Sequence, residues 1–529
     1  MIHPRHKINS IIVLGGGTAG WLAAGYFSSQ LHGVKITVIE SGEEKIIGVG
    51  ETTVPQIRHH LEKMGLDENT WMRETGAVFK YGSRFVNWKT GNDERIHGFS
   101  DFLTEKVISR SPNEFNKNSI RHERDSTLDL DYWINLLKKS MVQDDNKNLI
   151  GIEAWHFIKN NLAHRDLEGH QYFSRVPGYA YNLDAFRFGS AIRKLIAEPN
   201  GVERIVAHIA QIKYNEDDSV HSLIDSEGKT YAADLYIDCT GFRRLLIGRY
   251  SRWISKEKRL GKKAVVAGRV SYQDDQSLWC TPALHSTALK NGWSWRISLR
   301  DDMGSGYVYN TDYIDQDQAE EEFRRYWASN GKEVDVRVRT KFDSGFNEKS
   351  ACKNVIAAGL ANNFLEPLEA TSISFSALIN ELIVDVLNKH QGTWSYRDAD
   401  TVSRLMTREI DYSADFLWMH YALTQRNDTQ FWRDQGLQRQ EALSIAHKWF
   451  MDDVDIYRRE KDFGHTRFNK FDWALMLTTM DAWHECPTRS INDKWLERAE
   501  IFYKFKKSMV ESVGKLVPTH WDLIKSIND

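Results

Sequence analysis

The sequence predicts an α/β fold in which a Rossmann-type parallel sheet is joined by a second sheet and a helical C-terminal region. Three features of the 529-residue chain support this prediction. A strand, a helix and a strand follow one another at the N-terminus. Strand-like aromatic runs occupy 264–273 and 293–299, and apolar residues take helical spacing from about 395 onward. This order is typical of a parallel sheet with further layers packed on it.

The parallel sheet begins with a βαβ unit. An apolar strand at 11–14 is followed by a helical pattern at 21–31 and a β-branched strand at 34–39. Two later apolar strands, 235–237 and 355–358, each run into a glycine. We therefore expect all four strands in one sheet, which is assembled from separated pieces of the chain.

The other segments complete the predicted domain organisation. We assign 1–110, 180–250 and 345–390 to a discontinuous parallel-sheet domain, and 111–179 with 251–344 to the second sheet and its helices. Residues 391–529 are assigned to a helical cap, because this section has few glycines and many large apolar side chains. Its tryptophans stand at 418, 432, 449, 473, 483, 495 and 521.

Composition excludes several classes of protein. The net charge of -3 gives no reason to expect a nucleic acid or an anionic membrane as partner. The four cysteines, at 239, 280, 352 and 486, form no CxxC pair and no cluster with metal-ligand spacing, so we expect no metal. Because no signal-like segment and no run of 18 apolar residues is present, we expect a cytoplasmic protein.

A glycine-rich turn indicates a dinucleotide site. Gly15, Gly16, Gly17, Thr18, Ala19 and Gly20 fit GxGxxG between the first strand and the helix, and Glu40 ends the next strand. Gly15 allows the tight turn, Gly17 allows the backbone to approach a pyrophosphate, and Gly20 allows close helix packing. Glu40 could accept a hydrogen bond from a ribose hydroxyl. A lone GxGxxG is often an ordinary turn, but in this context it predicts binding of FAD or NAD.

Two later segments favour FAD over NAD. Residues 234–241 (DLYIDCTG) resemble the strand by which FAD-containing hydroxylases and reductases bring a second loop, here at Gly241, near the flavin. Residues 354–361 resemble their third flavin segment, although Leu360 replaces the usual Asp. Either segment alone could be an ordinary buried strand. Together they predict the glutathione-reductase-like, hydroxylase-like form of the Rossmann fold.

Four further segments resemble the flavin-dependent tryptophan halogenases, in the order of that family. They are GVGETTVP at 48–55, FKYG at 79–82 with FVNW at 85–88, WSWRI at 293–297 and FLEPLEATSI at 364–373. The first is similar to the family's flavin strap and the third to its WxWxI signature. Ser298 stands where the family usually has proline, and Ser372 where it usually has glycine.

The resemblance implies roles for individual residues. Lys80 corresponds to the catalytic lysine and Glu369 to the catalytic carboxylate. The backbone amides of Thr371 and Ser372 would hold the halide, since a turn of N–H groups suits an anion. The remaining predicted contacts to the cofactor are Ser41, Thr52, Val206 and Ile373.

Aromatic residues are the predicted substrate contacts. Phe79, His97 and Phe99 stand where the family has substrate-binding aromatics. Trp293 and Trp295 lie on one face of a strand and would separate the substrate from the flavin, or they are simply core residues. Further pocket residues could come from 463–473, although a plain helical core explains that pattern equally well. The candidates are Phe463, His465, Phe468, Phe471 and Trp473.

The implied activity is halogenation of a small aromatic substrate, an indole or tryptophan-like molecule. Reduced FAD from a separate flavin reductase, oxygen and chloride or bromide would yield hypohalous acid. A homodimer is left open. Two alternatives remain: a flavin monooxygenase that hydroxylates an aromatic substrate, and a flavin-binding protein without catalysis. Neither HExxH nor GxSxG occurs, so a hydrolase has no support.

Overall fold

The computed structural model describes residues 4–42, 48–99, 152–170, 178–451, 468, 470–482, 507–508 and 510–528. The chain divides into two compact units. The first unit comprises Met1–Val78, Ala180–Tyr272 and Arg296–Ala414, and the second comprises Phe79–Tyr179, Gln273–Trp295 and Asp415–Asp529. The three-part domain assignment made from the sequence stays a prediction, and part of it falls on 100–151, outside the described residues.

The strands are numbered here in chain order. They are β1 His6–Lys7, β2 Ser10–Leu14, β3 Lys35–Glu40, β4 Glu51–Thr52, β5 Val78–Lys80, β6 Gly82–Val86, β7 Glu94–Gly98, β8 Ala180–Leu183, β9 Glu203–Val206, β10 Ile209–Tyr214, β11 Val220–Asp225, β12 Thr230–Tyr231, β13 Leu235–Asp238, β14 Trp253–Ser255, β15 Lys263–Val270, β16 Leu284–Ala288, β17 Gly292–Ser298, β18 Met303–Asn310, β19 Val334–Phe342, β20 Gly345–Asn347, β21 Ala351–Cys352, β22 Val355–Ala357, β23 Asn363–Phe364 and β24 Thr393–Trp394.

The α-helices follow the same convention. They are α1 Thr18–Gln30, α2 Gln56–Lys63, α3 Glu68–Thr75, α4 Ile152–Lys159, α5 Ala185–Ile192, α6 Glu257–Leu260, α7 Gln276–Trp279, α8 Gln316–Ser329, α9 Thr371–Lys389, α10 Tyr396–Ala422, α11 Gln430–Gly436, α12 Arg439–Met451, α13 Lys470–Thr479 and α14 His520–Asn528. Shorter helical turns are Arg193–Ala197, Gly241–Arg243, Ile247–Arg249, Gly359–Ala361 and Leu368–Ala370.

A six-stranded sheet organises the first unit. Its strand order is β21-β22-β13-β2-β3-β9, and its pairs are parallel except for β21 with β22. Ile11, Ile12 and Val13 of the inner strand β2 are at most 4% exposed, because a parallel strand covered on both faces needs successive apolar residues. The four strands predicted from the sequence lie in this one sheet, so the Rossmann-type prediction is confirmed.

Helix α1 packs closely against its neighbours in the first unit. Residues Trp21, Leu22 and Phe27 are buried, and Gly25 allows the approach of α5, since a Cβ there would lie 2.5 Å from the Ile192 Cγ2. The helix begins at Thr18, three residues before the predicted pattern, because the glycine turn leads directly into it.

A mixed sheet corresponds to the second sheet that was predicted. In the first unit, β15 pairs with both β18 and β19. The register shifts between Ala267 and Gly268, where a Cβ on Gly268 would lie 1.9 Å from the Asp335 carbonyl oxygen. In the second unit, β6 pairs antiparallel with β7 and parallel with β16.

The described part of the C-terminal region is mainly helical, as the apolar spacing predicted. Trp418, Trp432 and Trp473 are at most 1% exposed and fill the core of the second unit. The side chain of Trp449 and residues 483 and 495 lie outside what the structure describes. One segment among the described residues, Leu368–Lys389, could cross a membrane by its length and composition, but 72% of its apolar window is buried inside the protein, as expected of a core helix.

Candidate active site

The turn between β2 and α1 depends on its glycines. Gly15 has a φ of +116°, and a Cβ there would lie 2.3 Å from the Cys239 carbonyl oxygen of the neighbouring strand end. A Cβ on Gly20 would lie 1.9 Å from the carbonyl oxygen of Gly15. Both positions therefore exclude larger residues, and the turn closes directly onto the first turn of the helix.

Gly17 differs from its neighbours because the space beside it is open. It is the N-cap of α1, and a Cβ there would meet no described atom within 4 Å. Within the described part of the chain, no side chain caps this helix end and no acidic residue occupies its first turn. An uncapped helix N-terminus with open space in front of its N–H groups fits a pyrophosphate.

Gly17→Ala should separate cofactor binding from folding. The added methyl meets nothing in the protein, so we expect the melting temperature of the apoprotein to stay within about 2 °C. The methyl would occupy the space predicted for the pyrophosphate, so FAD affinity should fall about tenfold or more. Thermal unfolding and fluorescence titration with FAD measure the two effects. Gly15→Ala is the comparison variant, and it should lower both stability and affinity; unchanged FAD affinity in Gly17→Ala would contradict the assignment.

Glu40 has a partner that sequence reasoning missed. Its carboxylate is buried, forms an ion pair with Arg204 of β9 and lies against the backbone of Gly16. Arg204 stands opposite Val38 in the parallel pairing of β3 with β9, which brings together residues 164 positions apart in the chain. Ser41 and Val206 are exposed at the same strand ends. An exposed apolar Val206 suits contact with a bound group.

Asp238 holds the second predicted flavin loop. Its buried carboxylate accepts hydrogen bonds from the Thr240 amide and hydroxyl and from the amides of Leu246 and Ile247, at 2.6 to 3.0 Å. These bonds fix the loop that contains Gly241, whose φ is +63°. The sequence showed the strand and the glycine, but the polar contacts made by Asp238 depend on the folded loop.

The third predicted flavin segment meets the start of α1. Gly359 has a φ of +62°, and a Cβ there would lie 2.5 Å from the Ala19 Cβ. The next residue, Leu360, is 37% exposed. The loops after β2, β13 and β22 thus converge at the carboxyl ends of parallel strands, where ligands bind in open α/β sheets.

The strap-like segment is anchored where it enters β4. The carbonyl oxygen of Gly48 accepts a hydrogen bond from Arg269, which is ion-paired with Asp184 and Asp302. A Cβ on Gly304 would lie 1.9 Å from the Val49 carbonyl oxygen, so the two backbones are in direct contact. Thr52, a predicted cofactor contact, is buried and donates to the Asn182 side-chain oxygen at 2.8 Å.

Glu51 gives a testable pH dependence. Burial raises the pKa of its carboxyl from 4.5 to about 7. Because the pKa is higher in the folded protein than in the unfolded chain, ionising Glu51 costs more in the folded protein. The free energy of unfolding therefore falls as the pH rises from about 4.5 through 7. Glu51→Gln should therefore stabilise the apoprotein at pH 8 by roughly 2 kcal/mol and change it little at pH 4.5. Thermal unfolding at both pH values measures this; an equal change at both would count against the burial effect.

Glu369 lies in an unusual turn at the start of α9. Its φ is +62° and that of Ala370 is +58°, so two consecutive non-glycine residues are left-handed. Both are buried, as are Thr371 and Ile373. Such backbone conformations cost of order 1 kcal/mol or more each and cluster at functional sites. Since no acidic side chain occupies the first turn of α9, its amide groups, including those of Thr371 and Ser372, suit a small anion.

Lys80 is fully buried in the second unit. Its Nζ lies 5.1 Å from the centre of the Phe99 ring. Phe79 is also fully buried, and its ring contacts His164 at 4.5 Å and Tyr179 at 5.3 Å between centroids. A buried ammonium group requires compensation by partners or a task. The structure therefore brings the predicted catalytic lysine, Lys80, next to Phe99, a predicted substrate contact.

His97 packs among aromatic residues of the C-terminal helices. Its Nε2 lies 2.9 Å from an oxygen of Asp472, and its ring lies 5.7 Å from Phe416 and 6.4 Å from Phe468. Trp473 also contacts Phe416. Three of the pocket candidates in 463–473 are not described: Phe463 and His465 lie outside the described residues, and so does the side chain of Phe471. Asp472 was missed because a lone acidic residue in a helix gives no signal.

The paired tryptophans form part of a larger aromatic cluster in the second unit. Trp293 and Trp295 are at most 4% exposed, and their ring centroids are 6.1 Å apart. Trp88 lies 6.1 Å from Trp293 and 5.7 Å from Trp432. The same-face arrangement predicted from alternation is therefore present, and it belongs to a continuous core.

Known proteins resemble this chain over nearly its whole length. The matching family is described as tryptophan halogenase and covers residues 10–491. A tryptophan 7-halogenase of Kutzneria sp. is 30% identical over 440 residues, 81% of this chain and 78% of the relative. One of Lentzea aerocolonigenes is 29% identical over 473 residues, 85% and 82% of the two chains. The crystal structure of a tryptophan halogenase from Shewanella frigidimarina has a TM-score of 0.81 at 25% identity, covering 99% of this chain and 98% of that one.

Proposed function

Because this chain belongs to the tryptophan halogenase family, we propose that it halogenates an indole or tryptophan-like aromatic with reduced FAD, oxygen and chloride or bromide. The family membership confirms the resemblance found in the motifs. It favours a halogenase over a flavin monooxygenase or a flavin-binding protein without catalysis. The strongest structural support for the proposal is Lys80, a fully buried ammonium beside Phe99. Neither a flavin monooxygenase nor a flavin-binding protein without catalysis requires a buried lysine at this position.

The residues of the first unit fit FAD. The open space at Gly17, the uncapped start of α1 and the convergence of Gly241 and Gly359 support binding of its pyrophosphate at the carboxyl ends of the strands. When bound in its reduced form, FAD supplies with oxygen the oxidising power that converts a halide ion to hypohalous acid. We further propose that Glu40, held by Arg204, accepts a hydrogen bond from a ribose hydroxyl.

Lys80 and Glu369 have separate roles in the proposed substitution. Lys80 donates an N–H to the oxygen of hypohalous acid, so that the halogen–oxygen bond breaks as the aromatic carbon attacks the halogen. Glu369 accepts the proton that the ring cation then loses, as a general base. The hydroxide released takes up one proton, so the products are the aryl halide and water. The amides of Thr371 and Ser372 bind the halide before its oxidation.

The aromatic residues of the second unit suit an indole-bearing substrate. Phe79 and Phe99 offer ring faces and edges for stacking, and Trp293 and Trp295 form a wall of the substrate site. His97 brings a polar group paired with Asp472. A flavin reductase is the proposed partner, because reduced FAD must be renewed each turnover. A cytoplasmic location and a homodimeric assembly are part of the same proposal.

A substrate screen tests the proposed function. The enzyme, a flavin reductase, NADH and FAD are incubated with indole, tryptophan and indole-bearing peptides, in parallel with chloride and with bromide. We expect a halogenated product from at least one indole, detected by mass spectrometry, and no product without halide. Oxygen insertion that does not depend on halide would support the monooxygenase instead.

A further inference from the structure

The turn proposed to hold a halide contains two buried carboxyl groups. Glu366 is 0% exposed and Glu369 is 2% exposed, and only Pro367 and Leu368 separate them. In a low-dielectric interior, carboxylates oppose an approaching anion strongly. A halide site on this turn therefore requires compensating positive charge close to the turn.

Lys263 provides such a charge from the first residue of β15. Its Nζ lies 3.7 Å from the Glu366 Oε2, and both side chains are at most 1% exposed. Its backbone is held between two strands, because Lys263 pairs with Asn310 of β18 and with Phe342 of β19. Burial lowers the pKa of Lys263, and the carboxylate of Glu366 opposes that shift.

The segment that carries Glu366 is equally well fixed. The hydroxyl of Ser344 donates to the carbonyl oxygen of Leu365, and β20 pairs with β23 through Gly345 and Phe364. Lys263 of β15 thus meets Glu366 in the short segment between β23 and the helical turn Leu368–Ala370, both in the first unit. Neither depends on a surface loop.

A stabilising role alone explains this pair poorly. The desolvation of two buried charges offsets most of their attraction, and apolar residues of similar volume often stabilise a core as well or better. A neighbouring ion pair, Lys262 with Asp312, is more than half exposed and has no such cost. The burial of Lys263 beside the turn therefore suggests an electrostatic task.

We propose that Lys263 is a positioning residue whose buried charge balances Glu366 and so allows the turn at Glu369 to bind a halide. This inference rests on the proposed function, because it assigns the halide to the same turn. It predicts that the halide affinity follows the net charge of the pair. Removing the cation should weaken halide binding, and removing the carboxylate should strengthen it.

The test uses single and double variants of the FAD-loaded enzyme. Lys263→Met should raise the KM for bromide about tenfold, whereas Glu366→Gln should lower it. The double variant removes both charges and should return the KM for bromide close to that of the parent enzyme, which also guards against failure of Lys263→Met to fold. The KM for the indole should change little. Lys262→Met is the matched control and should leave both constants unchanged.

A second readout does not require turnover. The rise in melting temperature produced by added bromide should shrink in Lys263→Met and grow in Glu366→Gln. If the bromide-dependent rise in melting temperature changed equally and in the same direction in both single variants, the pair would be purely structural and the inference would be overturned. If the parent enzyme forms no halide-dependent product, the proposed function fails instead, and the two failures are thereby distinguished.

Discussion

Replacing Lys80 with alanine should lower the rate of halogenation about a thousandfold or more while FAD affinity stays the same. Lys80 lies in the second unit and is fully buried beside Phe99, whereas the residues proposed to bind FAD belong to the first unit. The lysine should therefore serve the reaction of the oxidised halogen and not the cofactor. Product formation is followed by liquid chromatography with mass spectrometry, and FAD binding by fluorescence titration.

Two further variants make the Lys80 result interpretable. Lys80→Met keeps most of the buried volume and removes the charge, so it should be as inactive as the alanine variant but more stable. Lys159, partly exposed and ion-paired with Glu94 in the same unit, serves as the control, and Lys159→Ala should keep parental activity. An alanine variant at Lys80 that halogenates at an undiminished rate would refute the assigned role.

Replacing Glu369 with glutamine should slow turnover about a hundredfold or more without unfolding the protein. Glutamine has nearly the same shape, so the left-handed backbone at Glu369 and Ala370 is unchanged. The amide cannot accept the proton of the ring cation, and the chemical step should slow for that reason. Initial rates and melting temperatures of the variant and the parent enzyme are compared at saturating halide and substrate.

The control for Glu369 is an exposed glutamate of the same unit. Glu321 is 72% exposed at its side chain and pairs with Arg325, and Glu321→Gln should leave the rate unchanged. A Glu369→Gln enzyme with the parental rate would remove the general base from the mechanism. A variant that melts well below the parent would instead point to a structural role for the carboxylate.

Local sequence patterns predicted the main sheet well because its signals are local. Strands β2, β13 and β22 are apolar runs that each lead to a glycine within a few residues. Gly15 and Gly20 occupy positions where even one extra carbon would collide with backbone. The spacing of these glycines between a strand and a helix is a local pattern, so it is visible in the sequence alone, although the atom that excludes a side chain at Gly15 belongs to distant Cys239.

Contacts between distant segments were not predictable in this way. Arg204 meets Glu40 only because β9 lies beside β3, and Lys263 meets Glu366 across 103 positions in the chain. A single sequence records neither the strand order nor the register that creates such pairs. The left-handed conformation of Glu369 was also hidden, because glutamate and alanine give no local signal for positive φ.

The aromatic candidates show an intermediate case. Alternation on β17 correctly placed Trp293 and Trp295 on one face, but only the fold reveals that Trp88 and Trp432 extend the same cluster. Likewise, His97 was selected by its motif, while its partner Asp472 comes from a helix with no motif. When the side chains of a site come from separate elements, only the tertiary structure shows that they belong together.

Halogen transfer by this protein can be measured directly in a single-turnover experiment. FAD is reduced without oxygen, bound to the enzyme, and mixed with aerated buffer containing bromide and an indole. We expect a brominated indole, recognised by the isotope pattern of bromine, and no brominated product with Lys80→Ala. A hydroxylated product of equal yield with and without bromide would show that the enzyme is a monooxygenase instead.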